Sequence, residues 1–241
     1  MTRPSVSVAM ATYNGEKFVL TQIQSIISQL APNDQLVISD NGSTDQTVKI
    51  IDENYHHDSR VELIFCQEKG VIANFSYALS HCRNEIIFLS DQDDVWLPNK
   101  VDVFLEHFSK QPEIDLFMSD ITVVDNQLEV MIPSFFAYRN TGLGVGKNIL
   151  KNTFIGCAMA FRKSFISPLL PIPRKVPMHD MWFGILANKH HKAALISEKL
   201  VLYRRHEDTV TTVENQSSLR EKLLWRFRII YFVFFYRVKT N

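Results

Sequence analysis

The sequence is poor in cysteine: Cys66, Cys82 and Cys157 are the only three in 241 residues, and none belongs to a CxxC pair. That spacing argues against a disulfide framework or a cysteine-built zinc site and suits reduced thiols in the cytosol. Net charge is also lacking. Lysine plus arginine and aspartate plus glutamate number 26 each, so no global field draws the chain to nucleic acid. Long apolar runs are missing too: no window reaches the ~18 to 20 uninterrupted apolar residues of a spanning helix. The opening MTRPSVSVAMATYN runs straight into a strand pattern, without the apolar h-region of a secretory signal. What is there, 46% hydrophobic and 22% charged residues, is the composition of a globular protein with a substantial core. The length suits one large α/β domain, or a domain with an appendage.

Strand and helix patterns alternate over residues 1–125, as a parallel sheet requires. Strands are expected at 6–11, 35–40, 61–67, 85–91 and 115–125. A helix is expected over 16–30, with Phe18, Ile23, Ile26, Ile27 and Leu30 on one face. A second, capped by Ser43 or Thr44, runs through Ile51, a third covers 73–82, and a fourth carries Pro98 in its first turn and continues through Phe108. Beyond residue 130 the rhythm changes. Residues 141–148 are glycine-rich, 153–165 mix strand and turn signals, and Pro168, Pro171, Pro173 and Pro177 forbid regular helix. A short helix at 182–190 and a strand at 193–206 follow. The first half reads as a nucleotide-type sheet and the second as a substrate-shaping half packed on it, with no internal repeat and no clear linker.

Ligands of an open parallel sheet bind beyond the carboxyl ends of its strands. Three such ends carry polar clusters: Thr12-Tyr13-Asn14-Gly15, Asp40-Asn41-Gly42-Ser43 and Asp91-Gln92-Asp93-Asp94. Taken singly, the first is a turn with an exposed tyrosine and the second a turn with a helix cap. The third is different. A cap needs one carboxylate, whereas three within four residues raise one another's pKa unless a cation sits among them. Together the clusters suit a nucleoside diphosphate. Tyr13 offers a stacking face for a base, Asp40 an acceptor for a base N–H, and Asp91 an acceptor for a ribose hydroxyl. Asp93 offers an oxygen to Mg2+ or Mn2+, which would bridge the two phosphates.

ATYNG, DNGSTDQT and FLSDQDDVWLPNK, in this order and spacing, resemble the family 2 glycosyltransferases, inverting enzymes of the GT-A fold. The DQDD-W-P-K phrase resembles their bacterial rhamnosyltransferase-like members. The resemblance covers most of the chain. It implies an α/β fold with a Rossmann-like nucleotide-binding half on a mixed central sheet, an acceptor-binding half and a C-terminal helical tail. It implies that Thr12, Tyr13 and Asp40 contact the nucleoside, with Asn14, Asn74 and Gln92 also on the donor side. Asp91 and Asp93 become the D-x-D pair, with Asp93 on the metal. The common DDGSTD reads DNGSTD here, so Asn41 replaces an acid, but the expected base-binding position is the preceding Asp40.

An inverting transferase needs a general base for the acceptor hydroxyl. The resemblance puts it at Asp180 in MHDMWFG, a residue whose plain alternative is a helix N-cap. His179 is expected to position the acceptor. Trp182 is expected to line its apolar face, with core packing as the alternative. Gly156 is expected as a close-approach glycine beside the acceptor, or else as a strand bulge. YRRHEDT, residues 203–209, resembles the segment that closes over the donor pyrophosphate, with Arg204 on phosphate and His206 on the metal. Its alternative is a solvated basic strand edge.

The expected division is a transferase domain over 1–215, with a donor half 1–125 and an acceptor half 126–215, and a basic-aromatic tail over 216–241. In the tail, residues 229–236 are all apolar or aromatic and are flanked by Arg226, Arg228, Arg237 and Lys239. Such a segment suits the headgroup boundary of a bilayer. The expectation is therefore a cytoplasmic protein, peripheral on the inner face of the cell membrane, with core packing or a dimer interface as the alternative for the tail. The expected donor is dTDP-rhamnose or a UDP-hexose, and the expected acceptor a lipid-linked surface polysaccharide. A rival reading makes Asp91 the nucleophile of a haloacid-dehalogenase-like phosphatase, through Asp91-x-Asp93-x-Val95. That phrase ordinarily follows a first strand, and here it follows the fourth. A third reading is a sugar-nucleotide-binding module without activity.

Overall fold

The computed structural model describes residues 3–205 and 219–235. Among them, one sheet is built from β1 (Val6–Thr12), β2 (Gln35–Asp40), β3 (Val61–Phe65), β4 (Ile86–Ser90), β5 (Val95–Trp96), β6 (Leu116–Val124), β7 (Val130–Ile132), β8 (Met159–Arg162) and β9 (Ala193–Arg204). The helices are α1 (Val19–Ile27), α2 (Thr47–Tyr55), α3 (Val71–His81), α4 (Lys100–Lys110), α5 (Phe135–Arg139), α6 (Val145–Leu150), α7 (Lys163–Ile166), α8 (His179–Lys189) and α9 (Leu219–Phe234). The strand order is β3-β2-β1-β4-β8-β6-β9-β5, with β7 paired to β6 off this path.

β1 to β4 run parallel, with Thr12 opposite Asp40 and Met10 opposite Ser90. The carboxyl ends of β1, β2 and β4 therefore share one rim. These strands are buried on both faces, which is why VSVAMAT, QLVISD and IIFLS are nearly continuous in small and apolar residues instead of alternating. β8 enters between β4 and β6, antiparallel to both, and makes the sheet mixed. The long β9 lies parallel to β6, with register shifts around Asp120, and then pairs antiparallel with the two residues of β5. The loop Asp91–Asp94 is thus held between β4 and the far end of β9.

Several helix starts differ from the sequence expectation. α4 begins at Lys100 and not at Pro98, because Asn99 between them takes a left-handed conformation (φ 67). α2 begins at Thr47 and not beside Ser43 or Thr44. The Ser43 hydroxyl bonds Asp40, and Asp45 accepts the Thr47 N–H at 3.0 Å instead. The expected helix at 182–190 begins earlier, at His179, so Asp180 lies in the first turn of α8. That helix is buried nearly all round, which removes the amphipathic period from its sequence. β5, β7, β8, α5, α6 and α7 have six residues or fewer, too short for periodicity to register.

α9 packs on α8 and α6 through Ile229, Phe232 and Val233. Its outer side leaves Leu223, Leu224, Phe227, Tyr231, Phe234 and the following Phe235 exposed. Among the described residues no helix is long and apolar enough to cross a membrane.

Candidate active site

The rim begins with Asp40, at the end of β2 and almost wholly buried. Its Oδ1 accepts the N–H groups of Gly42 (2.9 Å) and Ser43 (2.8 Å). Its Oδ2 accepts the hydroxyls of Thr12 (2.9 Å) and Ser43. A carboxylate has about four lone-pair sites, and here four donors meet them. Asp40 therefore shapes the loop from beneath, and the equally buried Thr12 belongs to the same network. Asn74 is a buried rivet: it accepts from Ser39 Oγ (2.6 Å) and donates to the Thr12 carbonyl (3.1 Å). Asn14, at φ 49, accepts the Thr44 N–H at 2.8 Å. The Tyr13 ring is 54% exposed, with Lys69 Nζ 5.9 Å from its centroid.

Asn41, the departure from the common acidic phrase, has its own structural use. It donates to the carbonyls of Cys66 (3.1 Å) and Glu68 (2.8 Å) and accepts the Gly70 N–H at 2.8 Å. An aspartate could not donate either of the first two bonds. Beyond this loop, a groove of about 1090 Å³ runs past Lys69 and Tyr77 to Pro171 and Arg174. It contains none of the rim carboxylates.

The acidic loop is fixed from two sides. Gln92 exchanges hydrogen bonds with the backbone of Tyr13. Arg204, at the end of β9, donates its backbone N–H to Asp94 Oδ1 (3.0 Å), Nε to the Asp93 carbonyl (2.8 Å) and Nη1 to the Asn126 carbonyl (2.7 Å). Its guanidinium also lies 4.7 Å from the Phe18 ring centroid. A buried arginine so engaged holds the acidic loop against the end of β9. Gln92 likewise commits its amide to the backbone of Tyr13. His206 lies outside the described residues.

Asp180 faces this loop from α8. Its Oδ1 accepts the Met181 N–H, and the Gly156 N–H also bonds its carboxylate. Gly156 sits in a 3-10 turn, where a Cβ would lie 3.2 Å from His179 Nε2 and 3.6 Å from Asp180 Cβ. This is close approach, and no bulge is needed to explain the glycine. His179 is 3% exposed and stacks on Phe75 at 4.2 Å, with neither ring nitrogen partnered. Burial pushes its pKa down to about 3, so the imidazole is neutral. Trp182 has no exposed surface and packs on Phe183. Core packing is the arrangement observed.

The electrostatics answer the question of the clustered carboxylates. Burial, reinforced by Asp93 and Asp180 and opposed by Lys100, pushes Asp91 up to about 7. Burial, then Asp93 and Asp91, holds Asp94 well above the usual carboxylate range. Burial raises Asp180 to about 6, against the N–H groups of Met181 and Gly156. A site with this much uncompensated negative character favours a cation. Asp91, Asp94 and Cys157 offer ligand atoms within 4.8 Å of one another. Burial and the nearby carboxylates raise the Cys157 thiol, so the thiol stays protonated and the effective donors are oxygens. Carboxylate oxygens suit a hard divalent ion such as Mg2+ or Mn2+.

The site is thus an acidic turn after β4 of a mixed sheet, faced by a carboxylate from a later helix. The chain belongs to glycosyl transferase family 2: residues 7–170 match that family. It is a glycosyltransferase, and the phosphatase reading falls with that assignment. WfgD of Escherichia coli, a UDP-Glc:α-D-GlcNAc-diphosphoundecaprenol β-1,3-glucosyltransferase, is 24% identical over 214 residues, 86% of this chain and 79% of that protein. The fold is GT-A. TarS of S. aureus, solved in complex with UDP-GlcNAc, matches with a TM-score of 0.68 at 17% identity, over 87% of this chain and 62% of that one. The mannosyltransferase PcManGT of Pyrobaculum calidifontis, solved with GDP-Man and Mn2+, matches with a TM-score of 0.64 at 19% identity, over 85% of this chain and 57% of that one. The chain thus spans less than two thirds of both solved proteins.

Proposed function

We propose that the protein is a metal-dependent, inverting glycosyltransferase that moves a sugar from a nucleoside-diphosphate donor to a lipid-linked saccharide in surface polysaccharide synthesis. The observation that carries this reading is the convergence of Asp91 and Asp93, after β4, with Asp180, on α8, at one rim. Tyr13 stacks on the donor base, Asp91 holds the ribose, and Asp93 holds Mn2+ or Mg2+. The cation, when bound, supplies positive charge for the departing diphosphate. Asp180 takes the proton of the acceptor hydroxyl. The new bond forms from that oxygen to the anomeric carbon as the carbon–oxygen bond to the diphosphate breaks, and the centre inverts. His179, neutral and with both nitrogens unpartnered, is the group beside Asp180 that positions the acceptor.

dTDP-rhamnose or a UDP-hexose is the proposed donor. Support for a lipid-linked acceptor comes from the likeness to WfgD, whose name specifies a diphosphoundecaprenol substrate, and from α9. The exposed Leu223, Phe227, Tyr231 and Phe234 lie on one side of that helix, with Arg220 and Arg228 beside them. Apolar rings bordered by arginines suit the inner membrane face. The test is a thermal-shift screen of dTDP-rhamnose, UDP-glucose, UDP-galactose, UDP-GlcNAc and GDP-mannose, each with Mn2+ and with EDTA. A bound donor raises the melting point by mass action. A shift with one donor, only in Mn2+, is expected. A shift that survives EDTA would remove metal dependence, and no shift with any donor would remove the donor assignment.

A further inference from the structure

Between Glu129 and Asp180 the chain holds no aspartate or glutamate, against seven lysines and arginines. In a chain without net charge, such a stretch is a local field of one sign. Two of those lysines belong to α6 and its C-terminal end. Lys147, Leu150 and Lys151 stand at i, i+3 and i+4, hence on one face, and all three are exposed. Leu143, in the turn before the helix, is exposed as well. The other face is inward: Val145 and Ile149 pack on the core and Asn148 is buried. A single exposed leucine is ordinary, whereas a contiguous apolar patch marks a contact surface. Here the patch is contiguous. Arg226 Nη2 of α9 donates to the Leu150 carbonyl at 3.1 Å, so Leu150 stands beside the turn of α9 that exposes Leu223 and Phe227. Lys147 and Lys151 border this patch from α6, and Arg220 and Arg228 from α9. Among the described side chains of α6 and α9 none is acidic.

We infer that the segment from Leu143 to Lys151 is a second bilayer contact, which joins α9 in one docking surface for anionic lipid headgroups. The inference deepens the proposed function and rests on its reading of α9 as a membrane contact. A bilayer interface takes both kinds of side chain at once, leucines at the acyl boundary and ammonium groups at the phosphates. The single sign of the charge selects an anionic lipid. The surface is also tied to the site. Asn148 Oδ1 accepts the N–H and the hydroxyl of Thr153, both at 3.0 Å. Thr153 lies three residues before Gly156, whose N–H bonds the Asp180 carboxylate. α8, which carries Asp180 in its first turn, packs on both α6 and α9. Two contacts on either side of α8 fix its tilt, which one helix alone leaves free, and so hold Asp180 at a set height above the headgroups.

The test uses the full chain with vesicles of phosphatidylcholine alone and of phosphatidylcholine with phosphatidylglycerol in equal parts. Cys66, Cys82 and Cys157 are buried, so the variants Leu150→Cys, Phe227→Cys and, on the exposed side of α2, Glu53→Cys each take an environment-sensitive dye at one place. The dye at positions 150 and 227 is expected to shift to the blue on phosphatidylglycerol vesicles, and the dye at position 53 to stay unchanged. In vesicle flotation, Lys147→Gln/Lys151→Gln is expected to bind ~10- to 30-fold more weakly than the parent, from two cations removed at an anionic surface. A shift at 227 with none at 150, or flotation of the double variant within about two-fold of the parent, would overturn the inference and leave the α9 contact standing. Equal binding to both kinds of vesicle would overturn it too. No shift at either position would overturn the membrane reading of α9 with it, while the donor screen still decides the transferase reading. A shift at 150 that needs no vesicles and grows with protein concentration would mean that a second copy covers this face, and would also overturn the inference. If the double variant does not fold, the salt dependence of the parent replaces it: loss of vesicle binding in high salt supports the inference, and binding indifferent to salt overturns it.

Discussion

Gln92 and Tyr13, 79 residues apart, are joined by two hydrogen bonds: the Tyr13 N–H donates to Gln92 Oε1 at 2.8 Å, and Gln92 Nε2 donates to the Tyr13 carbonyl at 3.0 Å. One side-chain amide completes the backbone of the residue that follows β1 and thereby ties that loop of the rim to the acidic loop. Gly15 follows from the same contact. A Cβ there would lie 2.3 Å from Gln92 Oε1, so any side chain at residue 15 displaces the amide.

Gln92→Ala is expected to lose about 1–2 kcal/mol of stability, for two bonds at a half-buried site. It is also expected to weaken donor binding by about tenfold, the equivalent of about 1.4 kcal/mol. Gly15→Ala should reproduce both effects. Thermal melts and calorimetric titration measure them, and donor affinity unchanged in both variants would refute the coupling.

Arg204→Met is expected to be more damaging. It keeps the backbone bond to Asp94 but removes the bonds to the Asp93 and Asn126 carbonyls, leaving both acceptors without their cation. A loss of about 2–4 kcal/mol in urea denaturation is expected, from breaking a buried charged network. Mn2+ affinity should fall with it. Arg204→Lys should rescue little, because one ammonium does not reproduce the spread of the guanidinium. A lysine variant as stable as the parent would count against this account.

The pH dependence of turnover should follow Asp180. A general base works only when ionised, so activity is expected above the raised pKa of about 6 and is lost as pH falls through it. Asp180→Asn is expected to lose ~10²- to 10⁴-fold in kcat, with donor binding retained. kcat/KM profiles from pH 5 to pH 8, written as about one proton lost on the acid side, supply the check. A flat acid limb in the parent would exclude Asp180 as the titrating base.

Gly156→Ala separates the two halves of the site. The added methyl would stand 3.2 Å from His179 Nε2 and 3.6 Å from Asp180 Cβ. kcat is expected to fall by ~10-fold or more, since small displacements of a base are costly, while donor affinity stays at the parent value. Equal losses in both would mean that the turn supports the donor side as well.

Asn41→Asp restores the common acidic phrase and is nonetheless expected to destabilise. It removes the two donors that hold the carbonyls of Cys66 and Glu68. A loss of about 1–3 kcal/mol is expected, read by urea denaturation. A variant as stable as the parent would show that the loop does not depend on those bonds.

The sequence by itself determined the parallel half of the sheet and the convergence of three polar strand ends. Continuous apolar strands bounded by turn residues carry that information locally, and βαβ handedness does the rest. The family motifs, and the position of Asp180 relative to them, were equally legible. Tertiary structure decided what each polar side chain does at the rim. Thr12, Asp40, Asn74 and Gln92 bond one another's loops, because residues adjacent in space but 28 to 79 apart in sequence claim their acceptors and donors. Burial of Trp182 and engagement of Arg204 follow from which face of α8 and β9 meets the core, and a period of two or 3.6 does not fix that where nearly every neighbour is apolar. Lys100 closes the DQDD-W-P-K phrase in the sequence, but only the folding of Cys157, 57 residues later, against the same pocket buries its amine.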